Sequence, residues 1–186
     1  LPGLFSIFLS LISIPIHLNV AGTESYGNYI IFHFILIISV IFNFGIGKSI
    51  TVSINNFPKK NREVAYEGLK YTFIIIAVLL LFFYLFSFIE KSFYLSSLIN
   101  SSQLIYVMFG FVISIIYASL EGILQGNHKF KSLSFYNFIF FSLSISLPSI
   151  SLLYFSDLIL KDLIIFSLLI KLATTILMFV MININD

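Results

Sequence analysis

The chain has 186 residues, of which 59% are hydrophobic and 10% charged, with a formal net charge of +2 and no cysteine. Soluble domains carry roughly 25% charged residues, and a core of this size could not hide 23 phenylalanines and the accompanying Leu and Ile from water. That balance excludes an ordinary soluble domain, a disulfide or thiolate-metal site and a nucleic-acid partner, and it makes lipid the main solvent of the chain.

A helix needs about 20 mostly apolar residues to cross the hydrocarbon layer and must satisfy its own backbone there. In chain order, six stretches meet or approach that length: Leu4–Val20, Tyr29–Ile54, Tyr71–Ile89, Leu104–Leu120, Phe135–Phe155 and Leu163–Met181. The expected fold class is therefore all-α, a polytopic transmembrane bundle of about six spans occupying residues 1–186. Leu1 lies in an apolar run with neither the basic start nor the small-residue cleavage site of a signal peptide. The chain is accordingly expected to be a fragment that begins inside or just before its first span.

The polar connections are AGTESYGN, NNFPKKNREVAYEGLK, EKSFYLSSLINSSQ, EGILQGNHKFKS and SDLILKD. Connections two and four, with the border of the third span, carry Lys59, Lys60, Arg62, Lys70, Lys129 and Lys131. The opposite side carries only Lys91 and Lys161. The excess of cations on one side places those two connections in the cytoplasm.

Charge inside a span is the main functional signal, because a cation at the helix centre costs at least ~2.5–3.5 kcal/mol. Lys48 follows Tyr29 by 19 positions, roughly 28 Å of helix. It can snorkel to the cytoplasmic headgroups or face a cationic cavity. Lys171 lies eight residues after Leu163 and ten before Met181, roughly 12–15 Å from either end. It is expected either to pair with a neighbouring helix, through Glu121 or a cluster of carbonyls, or to face a substrate or ion. Asn43, near mid-depth, can bond to another helix. Gly45 and Gly47 allow close helix packing. His17 and His33, near the outer ends of spans one and two, are expected to be packing residues or members of a proton relay. Pro15 and Pro148 can kink spans one and five. No HExxH, GxxxxGK[ST] or GxSxG motif occurs, so neither an enzyme, a cofactor nor a metal site is expected.

Three local patterns add a resemblance. The first turn reads PIHLNVAGTESYGNY, Pro15 to Tyr29, with Gly22, Glu24, Tyr26 and Gly27. The second span ends NFGIGKSIT, Asn43 to Thr51. The fourth runs out as YASLEGILQGNHKFK, Tyr117 to Lys131. In this order, over roughly residues 15–131, they resemble the Wzx-type polysaccharide flippases of the multidrug/oligosaccharidyl-lipid/polysaccharide exporter superfamily. The resemblance implies two lobes of about six spans, of which this chain supplies the N-terminal one. It also implies multi-pass residence in the bacterial inner membrane. The activity implied is translocation of an undecaprenyl-pyrophosphate-linked oligosaccharide, an O-antigen (lipopolysaccharide) or capsule repeat unit, by alternating access. Its partners would be the lipid-linked oligosaccharide, membrane lipids and the polysaccharide polymerase machinery. Lys48 and Lys171, with Asn43, would meet the anionic headgroup. Many relatives carry a basic residue just before the first outer turn, where this chain has Asn19. The alternatives are a cation or drug antiporter of the related MATE group, and a non-transporting membrane scaffold.

The orientation is checked by single-cysteine labelling, which the absence of native cysteine makes clean. Tyr66→Cys and Ser132→Cys are expected to react with an impermeant maleimide only from the cytoplasmic side, and Ser97→Cys only from the outside.

Overall fold

The computed structural model describes residues 2–38, 45–90 and 101–184, and every regular element among them is helical. In order these are α1 (Pro2–Val20), α2 (Gly22–Ile38), α3 (Ile46–Asn56), a 3₁₀ turn (Pro58–Lys60), α4 (Asn61–Glu90), α5 (Ser101–Gly126), α6 (Phe130–Asn137), α7 (Ser144–Ser151) and α8 (Leu160–Ile184). A π-helical segment, Phe138–Leu143, joins α6 to α7. Four described helical stretches are long and apolar enough to cross a membrane: Pro58–Phe82, Ile105–Gly126, Phe130–Ser151 and Leu160–Ile182. Leu4–Val20 is a shorter apolar helix.

Large apolar side chains stand outward along these helices, among them Leu4, Phe8 and Leu11 on α1, Phe73, Val78 and Phe82 on α4, and Ile176 and Leu177 on α8. A water-soluble monomer rarely leaves so many large apolar side chains in water. Lipid removes the penalty, so the outward face and the packed face can both be apolar.

Several boundaries differ from those expected. The stretch AGTESYGN is not an open loop: after a one-residue turn at Ala21, α2 begins at Gly22, whose φ of +84° admits the change of direction. Glu24 then lies in the first turn of α2, where a carboxylate favours the helix dipole. Within 29–54 the described helices are two, α2 and α3, and Gly45 precedes α3 with φ +73°. Residues 61–70, expected as part of a connection, form the first turns of α4.

The chain divides into two compact units, residues 1–37 with 128–186, and residues 38–127. In the second unit α3, α4 and α5 pack on one another. The tightest approach is between Gly47 of α3 and Gly122 of α5: a Cβ on Gly122 would stand 2.1 Å from the Gly47 carbonyl oxygen. The Thr51 hydroxyl serves both carbonyls at this crossing, donating to Gly47 O at 3.0 Å and to Gly122 O at 2.9 Å. Thr72 and Ser119 join α4 to α5 through their hydroxyls at 2.7 Å. Asn61 donates to Asn127 at 3.0 Å, so the start of α4 is fastened to the end of α5. In the first unit α1 packs on α7 and the π-helical segment, and both of these pack on α8.

The glycine crossing makes a test. Gly122→Ala is expected to destabilise by about 1–3 kcal/mol, because the obstructing atom belongs to backbone and cannot rotate away. Gly27→Ala, with nothing within 4 Å of the new Cβ, is expected to be neutral. Thermal unfolding of the two variants in detergent measures the difference.

Candidate functional site

The polar interior of the first unit starts from a proline. Pro148 lies inside α7 and has no N–H, so it cannot donate to the carbonyl four residues earlier, that of Ser144. In lipid no water replaces that bond. The Tyr29 hydroxyl of α2 does so, lying 3.3 Å from Ser144 O and 3.0 Å from Ile145 O. Tyr29 is completely buried. Its ring lies 5.2 Å from His17 and, edge to face, 4.6 Å from His33.

Both histidines are buried in the same interior. His17 of α1 holds the Ser149 hydroxyl through Nδ1 at 2.9 Å, and its Nε2 lies 3.4 Å from the Ser25 hydroxyl. His33 Nε2 is 3.3 Å from the Ser167 hydroxyl of α8, while among the described residues its Nδ1 has no hydrogen-bond partner.

One turn after Ser167 comes Lys171, only 3% exposed. Its ammonium nitrogen donates to the carbonyl of Phe140 at 3.3 Å. It also stands over the Phe140 ring at 4.2 Å and the Phe141 ring at 5.7 Å. The π-helical segment supplies that acceptor. Widening the helix there changes the bonding ladder to i→i+5, as the Ser144 N–H to Ile139 O bond shows. The Phe140 carbonyl takes the Ser144 hydroxyl as well. Of the partners weighed for Lys171 from sequence, the carbonyl is present. Glu121 accepts from Gln125 at 3.3 Å, and among the described residues no carboxylate lies within ion-pair distance of Lys171.

The remaining predicted residues lie in the second unit or outside the described residues. Lys48 is exposed on α3, next to the buried Gly47. Gly47 sits in the α3–α5 crossing. Gly45, also expected to pack, is exposed and left-handed ahead of α3, with nothing among the described residues within 4 Å of an added Cβ. Asn43 lies outside the described residues. The structure thus brings His17, His33 and Lys171 into one interior, while Lys48 belongs to the other unit.

Three contributors were missed in the sequence: Tyr29, Ser167 and the π-helical segment. Tyr29 and His33 are four apart, as are Ser167 and Lys171 with Thr175 next, so each set shares a helix face. That spacing was the available signal for a polar stripe. Among the described residues no group of three His, Cys, Asp or Glu could hold a metal ion. Compared with known protein families, curated proteins and solved structures, the chain matches none.

Lys171 can be tested for its energetic role. Its charge has one carbonyl and two ring faces to offset desolvation. Lys171→Met keeps the stem's volume and removes the charge, and is expected to hold or raise the thermal midpoint in detergent. Lys171→Ala leaves a cavity and is expected to cost about 2 kcal/mol or more of stability, lowering the midpoint.

Proposed function

We propose that this chain is one lobe of a two-lobed membrane transporter with about six spans, and that it moves a lipid-linked oligosaccharide across the bacterial inner membrane. The reading rests on the resemblance to the Wzx-type flippases. The observation that carries it is spatial: two of the three stretches behind that resemblance meet in the second unit. The stretch Asn43–Thr51 contributes Gly47 and Thr51, and the stretch Tyr117–Lys131 contributes Gly122, to one helix crossing. Beside that crossing Lys48 is exposed.

The chemistry suits such a substrate. An oligosaccharide diphosphate is anionic and hydrated, so it needs a wet path carrying some positive charge, while its prenyl tail stays in the bilayer. On this reading Lys48 meets the diphosphate as a flexible point charge. Lys171, engaged within its own unit by the Phe140 carbonyl, packs the interior of the lobe. Motion of this lobe against its counterpart then exposes the path to one side and then the other.

A second reading has an observation of its own. The engagement of Lys171 by a carbonyl and two rings is the pattern of an interior packing residue, and it favours a non-transporting membrane scaffold over a transporter with two substrate-facing lysines.

Complementation separates the two readings. In a strain lacking its O-antigen flippase, the full-length gene is expected to restore surface glycan. Lys48→Ala is expected to cut that export by about tenfold or more, the loss of a charge-assisted contact worth ~1.5–3 kcal/mol, with insertion unchanged. Rescue that survives Lys48→Ala removes the lysine from the substrate path. Failure of the wild-type gene to rescue, with glycans of several repeat structures, favours the scaffold.

A further inference from the structure

Between α3 and α4 lies an open groove of about 620 Å³. The two helices form a hairpin about the 3₁₀ turn, and Gly68 lets them close on each other, with the Ile50 side chain occupying the place of its missing Cβ. The groove is graded along α4. Near the turn it is lined by Glu63 and Glu67, with Ser53 from α3, and farther along by Tyr71, Ile74 and Ile75. These α4 positions recur at helical spacing on one face.

The grading matches the depth of a lipid headgroup. The continuous apolar run of α4 begins at Tyr71. Glu67 lies one turn before it, about 6 Å outward, and the headgroup layer outside the hydrocarbon is roughly 5–8 Å thick on each side. Glu67 and Ser53 therefore stand at headgroup level, and Ile74 and Ile75 at the level of the upper acyl chain.

The charges select among headgroups. Glu63 pairs with Lys60 at 3.5 Å and Glu67 with Lys70 at 4.0 Å, all four side chains well exposed. Exposed pairs of this kind are weak and readily exchanged for a ligand's charges. Carboxylates in the groove, each with a cation next to it, complement a zwitterion whose ammonium enters the groove and whose phosphate remains at the lysines. A primary ammonium donates three hydrogen bonds to carboxylate and hydroxyl oxygens, as a lysine ammonium does. A trimethylammonium has no N–H to donate, and a phosphoglycerol headgroup brings only an anion to the two carboxylates.

We propose that the α3–α4 groove is a binding site for a phospholipid whose headgroup carries a primary ammonium, with Glu67 and Glu63 receiving the ammonium. This is independent of the transport reading, since it concerns a resident lipid and not the cargo.

The test is native mass spectrometry of the protein released from mixed micelles holding equal phosphatidylethanolamine, phosphatidylcholine and phosphatidylglycerol. Wild type is expected to retain the ethanolamine lipid about threefold or more over the other two, and the pair Glu63→Gln, Glu67→Gln to bring that ratio to about one. Ile74→Trp, which fills the apolar part of the groove from a half-exposed position, is expected to reduce the ethanolamine adduct with helicity by circular dichroism unchanged. Equal or greater retention of phosphatidylglycerol by wild type overturns the proposal. So does an ethanolamine preference untouched by all three substitutions, or the absence of any retained lipid.

Discussion

Carbonyl groups that a helix cannot satisfy by itself organise the inside of the first unit. In hydrocarbon an unpaired carbonyl has no water to turn to, so each departure from the regular helical ladder calls for a side chain from elsewhere in the fold. Pro148 withholds an N–H from Ser144 O, and Tyr29 reaches across from α2 to supply a hydroxyl. The π-helical segment turns the Phe140 carbonyl into an acceptor for Ser144 and Lys171. At the glycine crossing of the second unit, where backbones approach closely, Thr51 spans two carbonyls with one hydroxyl. Tyrosine, lysine and threonine occupy these interiors because backbone oxygen is there to receive them.

This explains why His17 and His33 are where they are. Tyr29 must reach α7, and the space around its ring is filled by two further rings that are themselves hydrogen-bonded to serines of α7 and α8, Ser149 and Ser167. The hydrogen bonds of the two histidines tie α1 and α2 to the later helices. Lys171 extends the same arrangement by one turn of α8. Its stem supplies apolar area and its ammonium finds a carbonyl and two π faces, an arrangement that lowers the cost of the charge without a carboxylate.

How much of this was legible depended on the range of the interaction. The all-helical class followed from composition, since lipid leaves a chain of this hydropathy little else than helices, and the depth of Lys171 followed from counting residues between apolar ends. The carbonyl partner of Lys171 was weighed, yet the residue providing it, Phe140, is 31 positions away and became available only through a local widening of the helix that phenylalanine and isoleucine do not announce. Gly45 and Gly47 show the same limit within three residues. Both are small residues near a span end, and both suit close packing. One takes a positive φ and the other takes the contact, and that choice is made by Gly122, 75 positions after Gly47. The start of α2 at Gly22 is hidden for another reason: TESYGN is polar and so resembles a loop, although a polar segment at the end of an apolar helix remains helical when its residues have no strong alternative.

The order Gly45, Gly47, Lys48 then has a geometric consequence. Gly45 takes a left-handed conformation immediately ahead of α3, so the helix starts there and its phase is set. Two residues later Gly47 is buried against Gly122. Successive residues on a helix are about 100° apart, so burying Gly47 turns Lys48 away from the crossing, and the lysine is exposed. A residue larger than glycine at position 47 or 122 would push the helices apart and shift the lysine with them. Thr51, one turn beyond Gly47, donates its hydroxyl to the carbonyls of Gly47 and Gly122, so the close contact is stabilised by the hydroxyl that bridges it. The cation that stands out in a chain poor in charge is thus placed by backbone contact, and among the described residues no carboxylate pairs with it.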